Sequence, residues 1–313
     1  MHPPLIITGL HRSGTTWIGK IIEETGQVSV LHEPMNLQHG LRGIPCWYPY
    51  HPGGHPTPEA APYADQVEQL FSEFFKGSAR YVRSHPKAPL HRKLARALFG
   101  SNMERSYRAA IKAQSTRPVC LKDPFCLFLL PHLIERYNAR VAITVRHPGA
   151  LLVSMRRMKW TPHLSTLQSQ PDLMRLYGDT EADALAAKSP LHDEIHQHSL
   201  FWKIAYKLSR HLEERYPENV CLIRHEDLSH GSEPALDTLL DHFGIGEGRE
   251  QALAFVKNST SGKVVAPKSG VLHEFSRDGS RITSYWKEKL SREEQTLLVS
   301  MAGPELDHHY QDT

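Results

Sequence analysis

The sequence predicts a three-layer α/β/α fold around a central parallel sheet of about five strands, on three observations. Five short runs are apolar or β-branched nearly throughout, at residues 5–8, 28–31, 119–122, 141–145 and 220–223. That pattern belongs to strands covered on both faces. Helical segments lie between these runs, and alternating strand and helix argues for a parallel sheet with helices on each side. The first run leads directly into a glycine-bounded loop, Gly9-Leu10-His11-Arg12-Ser13-Gly14-Thr15-Thr16, which opens onto a helical stripe.

Taken in order, the first strand, loop and helix aim several backbone N–H groups at one spot, at the positive end of a helix dipole. This is a cradle for phosphate or sulfate. The spacing matches the nucleotide loop G-x-x-x-x-G-K-[ST], so the fold is expected to be P-loop NTPase-like. Position 15 departs from it: Thr15 stands where that loop carries the lysine that grips β- and γ-phosphates. Arg12, inside the loop, is the cation available instead. Trp17, Ile18, Ile21 and Ile22 share one face of the helix that follows. The second run leads into His32-Glu33-Pro34.

Residues 39–63 are crowded with proline, glycine, histidine and aromatics and show no period. They read either as a surface loop or as a lid over an acceptor site. The third run ends at Lys122-Asp123-Pro124. The fourth leads into Arg146-His147-Pro148, with Ser154 on the next helix. A polar insertion at 161–196 is expected to be helical in part. Stripes at 200–212 and 235–243 flank the fifth run.

At 313 residues the chain suffices for one α/β domain with insertions, expected to span 1–313. A formal charge of +3 is too small to argue for nucleic acid. The 21 histidines would add much charge below their ordinary pKa. Four cysteines do not make a disulfide framework. Cys120 and Cys221 read as buried thiols, and Cys46 and Cys126 lack CxxC or Cys/His ligand spacing, so no zinc site is expected. No run approaches the roughly 18 apolar residues of a membrane span. The first strand starts by residue 5, which leaves no room for a leader, and the expected compartment is the cytoplasm.

An arginine at a strand's carboxyl end and a serine on the following helix can hold one phosphate between them. Arg146 and Ser154 fit this, on the edge of the sheet where the first loop also sits. Two anion sites on one rim imply a donor with two separated phosphate-like groups.

Here the chain resembles the sulfotransferases that use 3′-phosphoadenosine-5′-phosphosulfate (PAPS). Arg12-Ser13-Gly14-Thr15-Thr16-Trp17 looks like their 5′-phosphosulfate loop, and Arg146-His147-Pro148 with Ser154 looks like their 3′-phosphate motif. Ile223-Arg224-His225-Glu226-Asp227-Leu228 resembles their strand-end Tyr-Glu-Asp-Leu segment, with His225 in the place of the tyrosine near adenine. Ser280-Arg281-Ile282, Trp286-Lys287 and Leu290-Ser291 resemble the C-terminal region of bacterial and Golgi-type members. The resemblance implies PAPS as donor and 3′,5′-adenosine bisphosphate (PAP) as product, with no metal. It also implies a small-molecule or carbohydrate acceptor offering a hydroxyl or amine. Donor contacts are expected from Arg12, Ser13, Gly14, Thr15, Thr16, Trp17, Arg146, Ser154, His225 and Arg281, the last with a solvated loop arginine as its alternative.

By resemblance to carbohydrate- and tyrosine-modifying members, Glu33 is the preferred base, with burial expected to raise its basicity. His32 is the rival, or else a packed strand-end histidine. The catalytic-histidine element of cytosolic members is not intact here, and Lys122-Asp123-Pro124 occupies the comparable strand end. Lys122 is a candidate for stabilising charge on the bridging oxygen or sulfonyl group, or else a surface partner of Asp123. Lys268-Ser269-Gly270 is a further possible contact. Arg156, Arg157, Lys159 and Trp160 form a patch that borders the ligands or is a solvated helix face. A P-loop kinase or NTPase would require Lys at 15 and a carboxylate for Mg²⁺. A non-catalytic PAPS- or PAP-binding relative is the other alternative.

Overall fold

A computed structural model describes residues 2–82, 102–178, 190–262 and 278–310. Strands β1 (Leu5–Gly9), β2 (Ser29–His32), β3 (Val119–Lys122), β4 (Arg140–Val145) and β5 (Val220–Arg224) pair in parallel, in the order β2-β3-β1-β4-β5. All five expected runs are strands, with no end displaced by more than one residue.

The period of two along the strands assigns the layers. Leu5, Ile7, Cys120 and Ala142 pack with Ile18, Ile21, Ile22, Leu239 and Val256. The alternate residues Ile6, Leu121, Val141 and Ile143 face Leu133, Trp202 and Phe71 on the other side. Helices Thr15–Glu24, Glu233–Phe243 and Arg249–Thr260 thus contribute to one layer. Ala64–Phe75, Leu130–Tyr137 and the long helix Pro190–Arg215 contribute to the other. The expected stripes at 200–212 and 235–243 lie inside two of these helices. Ser232 accepts a capping bond from the Ala235 amide and Gly244 closes the other end in a left-handed conformation, which fixes one of those helices at both ends.

The 39–63 segment has no helix or strand, only a bridge from Leu41 to Tyr81. It divides in two: Leu41, Ile44, Tyr48 and Tyr50 belong to the main core, whereas residues 52–60 are half-buried or exposed. Periodicity misses it because its apolar residues are buried one at a time between prolines. The 161–196 insertion holds it in place. Fully buried Gln170 accepts from the Tyr50 amide at 2.6 Å and donates to the Tyr48 carbonyl at 3.0 Å. That insertion supplies helices Leu164–Gln168 and Pro171–Tyr177 and the start of Pro190–Arg215, while 179–189 lie outside the described residues. So does Lys268-Ser269-Gly270. Cys120, Cys126 and Cys221 are buried and unpaired. No helix among the described residues is long and apolar enough to cross a membrane.

Because all strands are parallel, their carboxyl ends form one rim. It carries the loop after β1, Glu33 after β2, Lys122 at the end of β3, Arg146 after β4 and His225 after β5.

Candidate functional site

The loop after β1 is fastened to its neighbour by side chains. Thr144 Oγ1 donates to the Thr8 carbonyl at 3.0 Å, so Ser13 Oγ is left to donate to Thr144 Oγ1, at 2.5 Å. The Ser13 amide closes a turn onto the Leu10 carbonyl at 3.0 Å. Ser13 therefore shapes the loop from below. Gly14 takes φ 103°, and the helix starts at Thr15. The Trp17 and Ile18 amides bond the Gly14 carbonyl, whereas those of Gly14, Thr15 and Thr16 make no hydrogen bond to a described residue. Three donors at a helix N-terminus are thus available to an anion.

The second grip lies against the first. Arg12 Nε donates to Ser154 Oγ at 3.1 Å, and Arg146 Nη1 donates to the Arg12 carbonyl at 2.5 Å. Arg146 Nε is buried with no partner among the described residues, a donor still to be satisfied. The end of β4 is held rigidly around it. Trp202 Nε1 donates to the Arg146 carbonyl at 2.9 Å, and Glu226 accepts from the His147 amide at 3.0 Å. Tyr310 Oη in turn donates to Glu226 at 3.0 Å. His147 stacks on Trp286 at 4.2 Å. Glu226 and Trp286, found in the sequence through weak matches, therefore support the Arg146 wall. Arg281 does not join this cluster: its guanidinium is 55% exposed and pairs with Glu288.

At the fifth strand end, His225 lies directly under Gly14 and tilts against Trp17, ring centres 5.7 Å apart. Trp17 is anchored by a 2.9 Å bond from its indole to Ser259.

The fourth cluster is built around Lys122. Strand parity puts it on the face of Cys120, towards the helix Thr15–Glu24, where Gly19 leaves room for its stem. A Cβ at Gly19 would stand 2.9 Å from Lys122 Cγ. The ammonium donates to Glu33 Oε1 at 2.7 Å and Thr16 Oγ1 at 3.3 Å. Lys122 is 2% exposed, so the surface pairing with Asp123 does not occur. Glu33 sits at φ 49°, with its amide bonded to the Lys122 carbonyl at 2.8 Å. Burial pushes the Glu33 carboxyl up, but the charge and hydrogen bond of Lys122 outweigh it and bring it down to about 2. The expectation that burial would make Glu33 more basic is therefore reversed in the free protein. His32 faces solvent rather than packing at the strand end.

Asp123 is fully buried and turns the chain on both sides of the site. Its carboxylate accepts from the Met35 amide at 2.5 Å and the Phe125 amide at 2.9 Å. Burial, then the nearby Glu33 charge, push its carboxyl up to about 7 against those amides and Lys122. Asp123→Asn keeps one amide bond and turns an NH₂ group on the other. The expected loss is about 1–3 kcal/mol of stability, measured by denaturant unfolding.

Sequence reasoning did not assemble the aromatic wall beside these groups. His11 packs on Phe125, ring centres 4.2 Å apart, and hydrogen-bonds Tyr48 through Nδ1. Trp47 lies against Phe125 at 4.6 Å and stacks on His163 at 5.4 Å. Trp160 approaches His11 and the Arg12 guanidinium, each at 6.0 Å. Burial pushes the His11 imidazole down to about 3, so it is neutral near pH 7. The residues come from four separate stretches: His11 lies in the loop, Trp47 and Tyr48 in the 39–63 segment and Trp160 in the basic patch, whereas Phe125 carried no sequence signal. Within the basic patch, Arg156 is engaged by Glu194 and Glu294 and acts as a structural tie.

Residues 3–247 match the profile of a sulfotransferase family. No curated protein sequence matches the chain. Among solved structures, the sulfotransferase domain of the Synechococcus PCC 7002 olefin synthase is 15% identical with a TM-score of 0.50, over 100% of this chain and 96% of that one. The sulfotransferase domain from the curacin biosynthetic pathway is 15% identical with a TM-score of 0.48, over 95% and 96% of the two chains. Sulfotransferase STF9 from Mycobacterium avium is 15% identical with a TM-score of 0.41, over 100% and 77%. The first of these supports a shared fold.

Proposed function

The chain belongs to the sulfotransferase family, and from that premise we propose that it transfers a sulfuryl group from PAPS to a hydroxyl of a small acceptor. The observation that carries this reading is the join between the two anion grips: Arg12 touches Ser154, and Arg146 touches Arg12. One nucleotide can therefore place its 5′-phosphosulfate on the amides of Gly14, Thr15 and Thr16 and its 3′-phosphate on Arg146 and Ser154. The adenine rests against Trp17 and His225, whose rings already touch each other. Arg281 is left out of this assignment, because Glu288 already engages it.

In the reaction the acceptor oxygen attacks sulfur, the bond from sulfur to the 5′-phosphate oxygen breaks, and PAP leaves with that electron pair. Arg12 and Lys122 balance the charge on the departing phosphate and the moving SO₃. The acceptor proton passes to Glu33. In the free protein Lys122 holds Glu33 too acidic to take it. The incoming donor offers Lys122 other oxygens beside Thr16, and as the ammonium turns to them Glu33 regains basicity. The aromatic wall of His11, Trp47, Tyr48, Phe125 and Trp160 favours an acceptor with a flat or apolar body.

A kinase reading is not favoured. Thr16 holds the loop position whose hydroxyl binds Mg²⁺ in phosphoryl-transfer loops, and here the Lys122 ammonium bonds that hydroxyl.

The test is thermal unfolding in EDTA. PAP should raise Tm, and Mg-ATP should not. Arg146→Ala should lose about 10–100-fold in PAP affinity while 5′-AMP affinity changes little, because a charged hydrogen-bonded contact to the 3′-phosphate is worth about 1.5–3 kcal/mol. Stabilisation by Mg-ATP alone, or an Arg146→Ala loss shared equally by PAP and 5′-AMP, would overturn the assignment. Labelled-sulfate transfer to an acceptor panel then tests turnover.

A further inference from the structure

We propose that His51, Glu68 and His132 form a binding site for a divalent transition metal of the zinc class, separate from the donor site. The three residues come from the 39–63 segment, the helix Ala64–Phe75 and the helix Leu130–Tyr137. One ligand atom from each lies within 4.8 Å of the others. His51 and His132 are buried, at 1% and 3% exposure, and their rings stack at 4.1 Å. His132 Nε2 has no hydrogen-bond partner among the described residues. A buried ring nitrogen without a partner, beside a second imidazole and a carboxylate, is a ligand lacking its acceptor.

The donor set selects the metal. Two imidazoles and one carboxylate suit zinc and its neighbours rather than calcium or magnesium, which prefer oxygen alone. Ligands at about 2.0–2.1 Å in a tetrahedron stand about 3.4 Å apart, so the set must close by about an ångström. Glu68 can supply that movement, because its side chain is 41% exposed and its ion pair with Arg136 is long, at 3.7 Å. His51 Nδ1 accepts the Gly53 amide at 3.1 Å, which fixes the ring in place. The metal would tie the 39–63 segment to two helices just past Tyr48, which explains the His-Pro-Gly-Gly-His run that donor binding leaves unused.

The experiment uses tag-free full-length protein, stripped with a chelator and dialysed, then titrated with Zn²⁺ and separately with Co²⁺. One equivalent of Zn²⁺ should be retained through dialysis, Tm should rise by about 5 °C at a hundredfold excess over Kd, and Co²⁺ should give visible absorption bands. Glu68→Ala, on the partly exposed residue, should weaken Zn²⁺ at least tenfold, and His132→Ala should abolish the shift. Should His132→Ala fail to fold, Glu68→Ala alone decides. PAP binding should persist in Glu68→Ala, which separates this proposal from the donor assignment. No retained metal, or Zn²⁺ affinity unchanged in Glu68→Ala, overturns the site.

Discussion

Lys122→Met should reduce turnover at saturating donor by about 10²–10³-fold, the cost of removing one group that meets charge developing in a transition state. The ammonium is buried and reaches both the loop, through Thr16, and Glu33. Its loss leaves the burial of Glu33 unopposed, so the Glu33 carboxyl moves up from about 2. Two readouts distinguish this from simple loss of packing. The acid limb of the pH profile of kcat/KM for the donor, which reports the free protein, should shift to higher pH, and acid unfolding should change. In the wild type, Glu33 contributes stability above its ordinary pKa of 4.5, lost as pH falls towards 2. The variant should lack that loss. Lys122→Arg should not restore activity, because the Lys122 stem already fills the space at Gly19 and a guanidinium is wider. A rate within threefold of wild type in Lys122→Met removes Lys122 from the reaction.

Gly14→Ala should abolish measurable PAP binding and cost about 2–5 kcal/mol of stability. Two effects add. The residue sits at φ 103°, where a side chain is strained, and the new Cβ would stand 2.2 Å from His225 Cδ2. Relief of that overlap displaces either the loop amides or the His225 ring. Gly26→Ala is the control: its φ is 69°, and nothing lies within 4 Å of the new Cβ. It should cost about 1 kcal/mol and leave nucleotide affinity intact. Adding His225→Ala to Gly14→Ala should recover part of the stability, a non-additivity that isolates the steric share. Isothermal titration with PAP and denaturant unfolding measure both effects.

The sheet was legible because buried parallel strands are written as short apolar runs, and several runs here end at a residue that cannot be buried for free, such as Arg146 or His32. That the loop after β1, Arg146 and Ser154 meet on one rim was legible because each is placed by spacing along the chain. What escaped depends on spacing between chains of contact. Nothing in the sequence places Lys122 against Glu33, since that follows from the β2–β3 register and a gap at Gly19. Nor does it show that their pairing lowers the Glu33 carboxyl, because the sign is set by which of two opposed effects is larger. Asp123 read as a partner of its neighbour and instead braces two backbone amides. The 39–63 segment carries its apolar residues without period, so its burial is visible only once Gln170 and the aromatic wall surround it.

The bond from Tyr310 to Glu226 spans 84 residues. The support under Arg146 is therefore finished by a remote stretch of polypeptide that must fold back across helices Arg292–Ala302 and Pro304–His309. Nucleotide capture should be acquired late in folding, well after the β1 turn has formed. A protease nick near Gly303 should first show as poorer discrimination between nucleotides, before any loss of helical content.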